Sequence, residues 1–76
     1  MKVVWVPRAL EQAREHMRDQ AAMRELSAAI TALAGDPEPP GAFVRGSYRR
    51  LRAGDWRVLY EIEGDSVVIV RVDRVN

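Results

Sequence analysis

A short proline-rich segment, Asp36–Gly41, divides this 76-residue sequence into two halves with different hydrophobic periodicity. Three of its six residues are proline, which lacks a backbone N–H and restricts the residue before it, so neither helix nor strand can continue through the segment. Apolar residues recur at helical spacing before the segment and alternate with polar residues after it. The sequence therefore predicts an α+β fold, with its helices in the first half and most of its strands in the second.

The first half is predicted to form one strand and two helices. Residues 2–6 are mainly β-branched and aromatic and are followed by Pro7, which suits the first turn of a helix. Apolar residues at helical spacing predict helices over residues 8–20 and 22–34, and their short apolar stripes favour a hairpin over one bent helix. Gly35 is a good terminator for the second helix.

The second half is predicted to form three strands, over residues 47–52, 56–62 and 66–72. Gly54 and Gly64 lie in the two tight turns that connect these strands. The complete order is β-α-α-β-β-β, an antiparallel sheet packed on an N-terminal helical hairpin. We expect residues 1–76 to form one small domain.

Alternation along the strands predicts an apolar face against the helices and a polar face, here called the open face. The apolar face is expected to contain Leu51, Trp56, Val58, Tyr60, Ile62, Val68, Val70 and Val72. The open face is expected to contain Tyr48, Arg50, Arg52, Arg57, Leu59, Glu61, Arg71 and Asp73. Arg49 is expected to lie off the open face.

The net charge of +1 conceals a local concentration of positive charge. Residues 43–57 carry five arginines and one acid, whereas residues 1–42 carry five basic and six acidic side chains. Guanidinium groups bind phosphate through pairs of N–H donors, so this distribution indicates an anion-binding surface on the strands.

Several classes of site are excluded or disfavoured by composition. The sequence has no cysteine, and His16 is its only histidine, so it offers no disulfide, no thiolate zinc site and no catalytic triad. We expect His16 on the surface, and we expect neither a metal nor a cofactor. No apolar run reaches the length of a membrane span, and the N-terminus lacks a signal-peptide pattern, so we expect a cytoplasmic protein without a membrane partner.

Two strand segments, Tyr48–Ile62 and Val67–Val72, resemble the strand core of the RelE/ParE toxin superfamily. Members typically show the pattern Tyr-Arg-Leu-Arg-x-Gly-Asp-Tyr-Arg-x-x-Tyr followed by a valine-rich strand. The proline-rich segment after two helices also resembles this superfamily. The resemblance covers nearly the whole chain and implies a toxin of a type II toxin–antitoxin system.

The RelE branch of this superfamily consists of metal-free ribonucleases that cleave messenger RNA on the ribosome. Attack of a 2′-OH on the adjacent phosphate leaves a 2′,3′-cyclic phosphate. The resemblance implies that Arg57 stabilises the transition state, while Arg50 and Tyr48 occupy positions that are lysines in characterised members. Arginine is a poor general base because its pKa stays above about 12. The residues expected to bind RNA phosphate are Arg45, Arg52, Arg71 and Arg74.

Active relatives continue beyond the last strand with a tail that carries a base-stacking tyrosine. This sequence ends at Asn76 without one, which indicates either a compact or a truncated variant. Arg74 is the candidate for the basic residue that precedes the tail. Tyr48 is a candidate to replace the stacking tyrosine.

Each functional interpretation has a structural alternative. Arg57 is equally suited to an ion pair with Asp55 or Glu61, Arg71 is suited to a pair with Glu61, and charged edge strands prevent aggregation. Trp56 and Tyr60 are expected in the core, each with its polar tip bonded to backbone or water.

Three functions remain open at this stage. The first is messenger RNA cleavage on the ribosome. The second is a ParE-like poison of DNA gyrase without a nuclease site, and the third is a decayed toxin that only binds its antitoxin. All three predict a cognate antitoxin in a hetero-oligomer, and its chain should be acidic where it crosses Arg50 and Arg57.

Overall fold

The computed structural model describes residues 1–75, which form a five-stranded mixed sheet with two helices. In chain order the elements are β1 (Lys2–Trp5), α1 (Pro7–Arg14), α2 (Gln20–Gly35), β2 (Phe43–Arg45), β3 (Tyr48–Ala53), β4 (Trp56–Glu63) and β5 (Ser66–Arg74). The strand order across the sheet is β1-β5-β4-β3-β2. The predicted α+β class is confirmed, and every predicted helix and strand is present, although the first helix is six residues shorter at its C-terminal end than predicted.

The sheet differs from the prediction in two respects. Strand β2 was not predicted, because its three residues are all exposed and are too few to display alternation. Strand β1 pairs with β5 in parallel, whereas the prediction was an antiparallel sheet. Periodicity assigns faces to a strand but carries no information about the direction of its neighbour.

The two helices are separate, as predicted, and Asp19 marks the break between them. Helix α1 ends at Arg14 instead of continuing to residue 20. The Asp19 carboxylate then caps α2 by accepting the Ala22 N–H at 3.0 Å, which satisfies one of the free donors of the first turn. This hydrogen bond lowers the pKa of Asp19 below its usual value.

The core lies between the sheet and the helices. Trp56, Val58 and Tyr60 of β4 are fully buried there with Leu33 of α2. Two polar tips are satisfied by main-chain carbonyls, as expected: Trp56 Nε1 donates to Ala22 at 2.8 Å, and the Tyr60 hydroxyl donates to Pro37 at 2.7 Å.

The face assignment of β5 was wrong in its first half. Val67 and Ile69 are buried, whereas Val68 and Val70 are only partly covered. The reason is a bulge: Leu59 lies opposite Arg71 and the next residue of β4 lies opposite Ile69, which leaves Val70 as an extra residue. Beyond the bulge the predicted faces hold, with Val72 buried and Arg71 on the open face.

His16 is partly buried, contrary to the expectation of a surface position. The imidazole contacts the Trp56 ring edge-on, with 5.2 Å between ring centroids. The turn after α1 folds back towards the core. The charged residues around His16 gave no indication of this change in chain direction. Neither helix within residues 1–75 combines the length and apolarity needed to cross a bilayer.

Candidate functional site

The open face is organised as three rows of side chains that run across the strands. Residues that are Cα partners in neighbouring strands point to the same side of the sheet, and successive rows on one strand are about 7 Å apart. The first row contains Arg52, Arg57 and Asp73. The second row contains Phe43, Arg50, Leu59 and Arg71. The third row contains Arg45, Tyr48, Glu61 and Val68.

Arg57 is held in the first row by a two-pronged ion pair with Asp73. Arg57 Nη2 lies 2.6 Å from Asp73 Oδ2, and Arg57 Nε lies 3.3 Å from Asp73 Oδ1. The hydrogen bond to Asp73 raises the pKa of the Arg57 guanidinium, which stays charged. The sequence suggested Asp55 or Glu61 as partners, and neither pairs with it. With 43% of its side chain exposed, Arg57 keeps N–H groups free for a phosphate.

Arg52 neighbours Arg57 in the first row and is bound to the turn between β3 and β4. Arg52 Nε donates to the Gly54 carbonyl oxygen at 2.8 Å. The turn itself is fixed by α2, because the Glu25 carboxylate accepts the Asp55 N–H at 3.1 Å. Gly54 has φ +58°, a left-handed conformation that favours glycine. Arg52 is therefore positioned by a turn that a contact from the helical half holds in place.

Arg50 occupies the centre of the open face. The guanidinium carbon lies 5.3 Å from the centroid of the Phe43 ring, a cation–π distance. Three shallow depressions of about 330, 210 and 220 Å³ all include Arg50 in their lining. The largest is also lined by Phe43, Arg45, Tyr48 and Leu59. The others are also lined by Arg52, Arg57 and Val75, and by Arg57, Leu59, Arg71 and Asp73.

Arg74 is the one candidate that the structure separates from the rest. It is the Cα partner of Trp56, so it lies on the helix side of the sheet. Its guanidinium lies 5.2 Å from the centroid of the Trp56 ring and 3.6 Å from carboxylate oxygens of both Asp19 and Asp55. Arg74 thus joins the start of α2 to the β3–β4 turn.

The other candidates from the sequence share the open face. They are Arg45, Tyr48, Arg50, Arg52, Arg57 and Arg71. Arg49 lies off this face, as predicted, and its Nη2 donates to Glu38 at 2.7 Å.

Sequence reasoning missed Phe43 and gave Glu61 no chemical role. Phe43 was overlooked because β2 was not predicted, although the Gly46-Ser47 step before β3 is a hairpin signal that would have placed it. Glu61 is the Cα partner of Tyr48, which brings a carboxylate beside the tyrosine.

The three rows contain neither lysine nor histidine, and their possible proton acceptors are Tyr48, Glu61 and Asp73. Across residues 1–75, no group of three or more acidic or histidine side chains is arranged to hold a metal ion. The arrangement suits binding and charge stabilisation of phosphate by guanidinium groups.

Several solved structures similar to this one are toxins or toxin–antitoxin complexes. A YoeB/ParE toxin from Agrobacterium tumefaciens superposes with a TM-score of 0.81 at 18% identity, covering 97% of this chain and 98% of that one. The chromosomal ParDE system from P. aeruginosa gives 0.75 at 14% identity, covering 100% and 97%. The RelBE2 toxin–antitoxin complex from Mycobacterium tuberculosis gives 0.74 at 26% identity, covering 99% and 92%.

Sequence comparison gives the family directly. A search of curated proteins found no match. A family profile described as the ParE toxin of the type II toxin–antitoxin system, parDE, matches residues 3–75, nearly the whole chain. The chain therefore belongs to the ParE toxin family, within the ParE/RelE superfamily of type II toxin–antitoxin toxins.

Proposed function

We propose that this toxin inhibits translation by cleaving messenger RNA on the ribosome without a metal ion. The observation that carries the proposal is the position of Arg50, Arg52 and Arg57 in adjacent rows of the open face. A phosphate bound among them meets charged donors from several directions, and such preorganised charge stabilises a transition state. We also place the protein in the cytoplasm, where translated messages are available.

The proposed reaction is an internal transesterification. The ribose 2′-oxygen attacks the adjacent phosphorus, the bond from phosphorus to the 5′-oxygen breaks, and the products are a 2′,3′-cyclic phosphate and a free 5′-OH. The pentacoordinate intermediate carries extra negative charge on its equatorial oxygens. Arg57, fixed by Asp73, would bind these oxygens, Arg50 would bind the scissile phosphate, and Arg52 would position the backbone.

The proton of the 2′-OH needs an acceptor, and arginine cannot provide one. Asp73 is engaged by Arg57 through both of its oxygens. Glu61 is partly exposed beside Tyr48, and no ion pair occupies it among the described residues. We assign abstraction of the 2′-OH proton to Glu61, with Tyr48 orienting the attacking hydroxyl, and the leaving 5′-oxygen takes its proton from water.

A cognate antitoxin is the expected protein partner. The related structures from P. aeruginosa and M. tuberculosis are described as a toxin–antitoxin system and a toxin–antitoxin complex. By analogy, we expect an antitoxin with acidic residues over Arg50 and Arg57, which would block RNA by occupying the same donors.

Gyrase poisoning is the second candidate function. It is favoured by the match of residues 3–75 to the ParE toxin family, because the resemblance to ParE-like proteins implies a gyrase poison. The lack of lysine and histidine in the three rows points in the same direction. In that case the arginines would contact protein or DNA and no RNA would be cut.

Primer extension on a translated message after induction tests the proposal. We expect discrete cuts inside codons with the wild-type protein and a loss of about 100-fold or more with Arg57→Ala, in line with the loss of one preorganised charge donor. Arg24→Ala is the matched control, because Arg24 is exposed on α2 and remote from the open face.

The same cells distinguish the alternatives. Growth arrest without cuts, together with loss of gyrase supercoiling in extracts, would replace the ribonuclease with a gyrase poison. Cuts that persist in Arg57→Ala would show that the arginine is assigned wrongly.

A further inference from the structure

We propose that the depression between Phe43 and Tyr48 binds one nucleobase of a single-stranded RNA, next to the phosphate held by the arginines. It is lined by Phe43, Arg45, Tyr48, Arg50 and Leu59 and has a volume of about 330 Å³. The inference rests on the proposed function in that it names the part of the substrate that this region of the open face recognises.

The two aromatic side chains are the first argument. Phe43 is 55% exposed and Tyr48 is 42% exposed, on neighbouring strands and on the same side of the sheet. Exposed aromatic rings are the usual stacking partners of unpaired bases, and any base offers a flat π-face to them. Leu59 also lines the depression and adds apolar contact.

The charge around the depression is the second argument. Arg45 and Arg50 are part of its lining, and Arg50 also stacks over the Phe43 ring. A guanidinium in this position can lie over a base or bind its acceptor edge. An apolar protein side chain would gain little from two cations at the rim, whereas a nucleotide gains from both the rings and the charges.

Continuity with the phosphate site is the third argument. Arg50 lines this depression and also the two smaller ones that contain Arg57. The second row therefore borders both sites, and the rows are only about 7 Å apart. A phosphate between Arg50 and Arg57 would carry its nucleoside directly towards Phe43 and Tyr48. This arrangement orients one nucleotide relative to the phosphate that is cut.

Binding of a fluorescent single-stranded oligonucleotide with 2′-deoxyriboses tests the pocket, because this strand cannot be cleaved. The comparison strand has the same backbone without bases. We expect the wild-type protein to prefer the strand with bases. Phe43→Leu should weaken binding of that strand about tenfold, which corresponds to the loss of one stacked base, and should leave binding of the abasic strand unchanged.

Three variants make the test specific. Val44→Ala is the matched control, because Val44 is 57% exposed on the same strand but points to the other side of the sheet. Phe43→Trp should restore base-dependent binding. Arg57→Ala should weaken both strands equally, since it removes a phosphate contact.

The proposal is overturned if Phe43→Leu and Val44→Ala have the same effect, or if Phe43→Leu weakens both strands equally. It is also overturned if only the complex with the antitoxin is weakened, which would make the depression a protein-binding site. Base-dependent binding that depends on Phe43, in a protein that makes no cuts on ribosomes, would support the pocket while refuting messenger RNA cleavage.

Discussion

Asp73 has two opposite effects on the Arg57 side chain. The carboxylate fixes the guanidinium through two hydrogen bonds, which sets its orientation in the first row. The same carboxylate places a negative charge where an RNA phosphate would bind. Asp73 therefore improves the geometry of the site while it opposes the binding of an anion.

Asp73→Asn separates these two effects. The asparagine oxygen can still accept one hydrogen bond from Arg57, but the negative charge is gone. We expect the affinity for single-stranded RNA at low salt to rise about fivefold, as expected for removing one charge near a phosphate in water. Fluorescence anisotropy at two salt concentrations measures this, and weaker RNA binding would show that orientation outweighs charge.

Tyr60 provides a pH-dependent contribution to stability. Burial raises the pKa of its phenol above the usual value of about 10, so ionisation opposes folding. The contribution is complete below about pH 10 and is lost as the pH rises through the folded-state pKa. Tyr60→Phe also removes the hydrogen bond to Pro37, at a cost of about 1 kcal/mol at neutral pH.

We therefore expect the stability advantage of the wild-type protein over Tyr60→Phe to shrink above about pH 10. Urea unfolding of both proteins between neutral and alkaline pH measures the difference in their free energies of unfolding. The contributions of the other titrating groups cancel in this difference. An advantage that grew with pH would contradict a raised pKa.

At the scale of elements, the turn between β3 and β4 depends on a helix that is distant in sequence. A Cβ atom at Gly54 would meet the Glu25 carboxylate, and φ +58° is unfavourable for most other residues. The turn can be predicted from the sequence because glycine at a hairpin is a local signal. The contact of Glu25 with the turn cannot be predicted in this way, because it depends on how α2 packs.

A double-mutant cycle measures this support. Gly54→Ala should destabilise the protein by about 1–2 kcal/mol through backbone strain, with a further cost from displacing the Glu25 carboxylate. In a Glu25→Ala background only the strain remains, so the two substitutions together should cost less than the sum of the single ones. Thermal unfolding of the four proteins tests this, and simple additivity would mean that Glu25 does not support the turn.

The bulge at Val70 shows where periodicity fails to assign the residues of a strand to the correct face of the sheet. Strict alternation placed Arg71 and Asp73 correctly but put Val68 and Val70 in the core, where the structure has Val67 and Ile69 instead. A single inserted residue exchanges the two faces of everything on one side of it. Such an insertion is visible only from the partner strand, so half of β5 could not be assigned from its own sequence.

At the scale of the whole molecule, charge is nearly balanced in total and separated in space. The open face carries Arg45, Arg50, Arg52, Arg57 and Arg71 against Glu61 and Asp73 in its three rows. The sequence predicted this concentration because five arginines fall on one hairpin and its flanks. It did not place Arg74, which lies on the opposite side beside Trp56, because the predicted strand ended at residue 72 and the role of Arg74 rested on the resemblance alone.

The salt dependence of the RNA affinity should report the number of arginines that contact phosphate. Each contact contributes a slope of about −0.7 in a plot of log affinity against log salt for single strands, so Arg50, Arg52 and Arg57 together predict about −2. Each alanine substitution among them should reduce the slope by about 0.7, and Arg24→Ala should not change it. An unchanged slope for any of the three would remove that arginine from the phosphate contacts.

The position of β5 has a consequence for how the protein is made. This strand lies between β1 and β4, and it alone joins the N-terminal strand to the rest of the sheet. A nascent chain that has emerged only through β4 has no partner for β1 and no Asp73 to hold Arg57. Pairing of Lys2 with Ser66 must wait for nearly the entire polypeptide, and such non-local pairing comes late in folding. Translation interrupted before β5 would therefore leave the sheet incomplete, and the complete fold can form only after this strand has been synthesised.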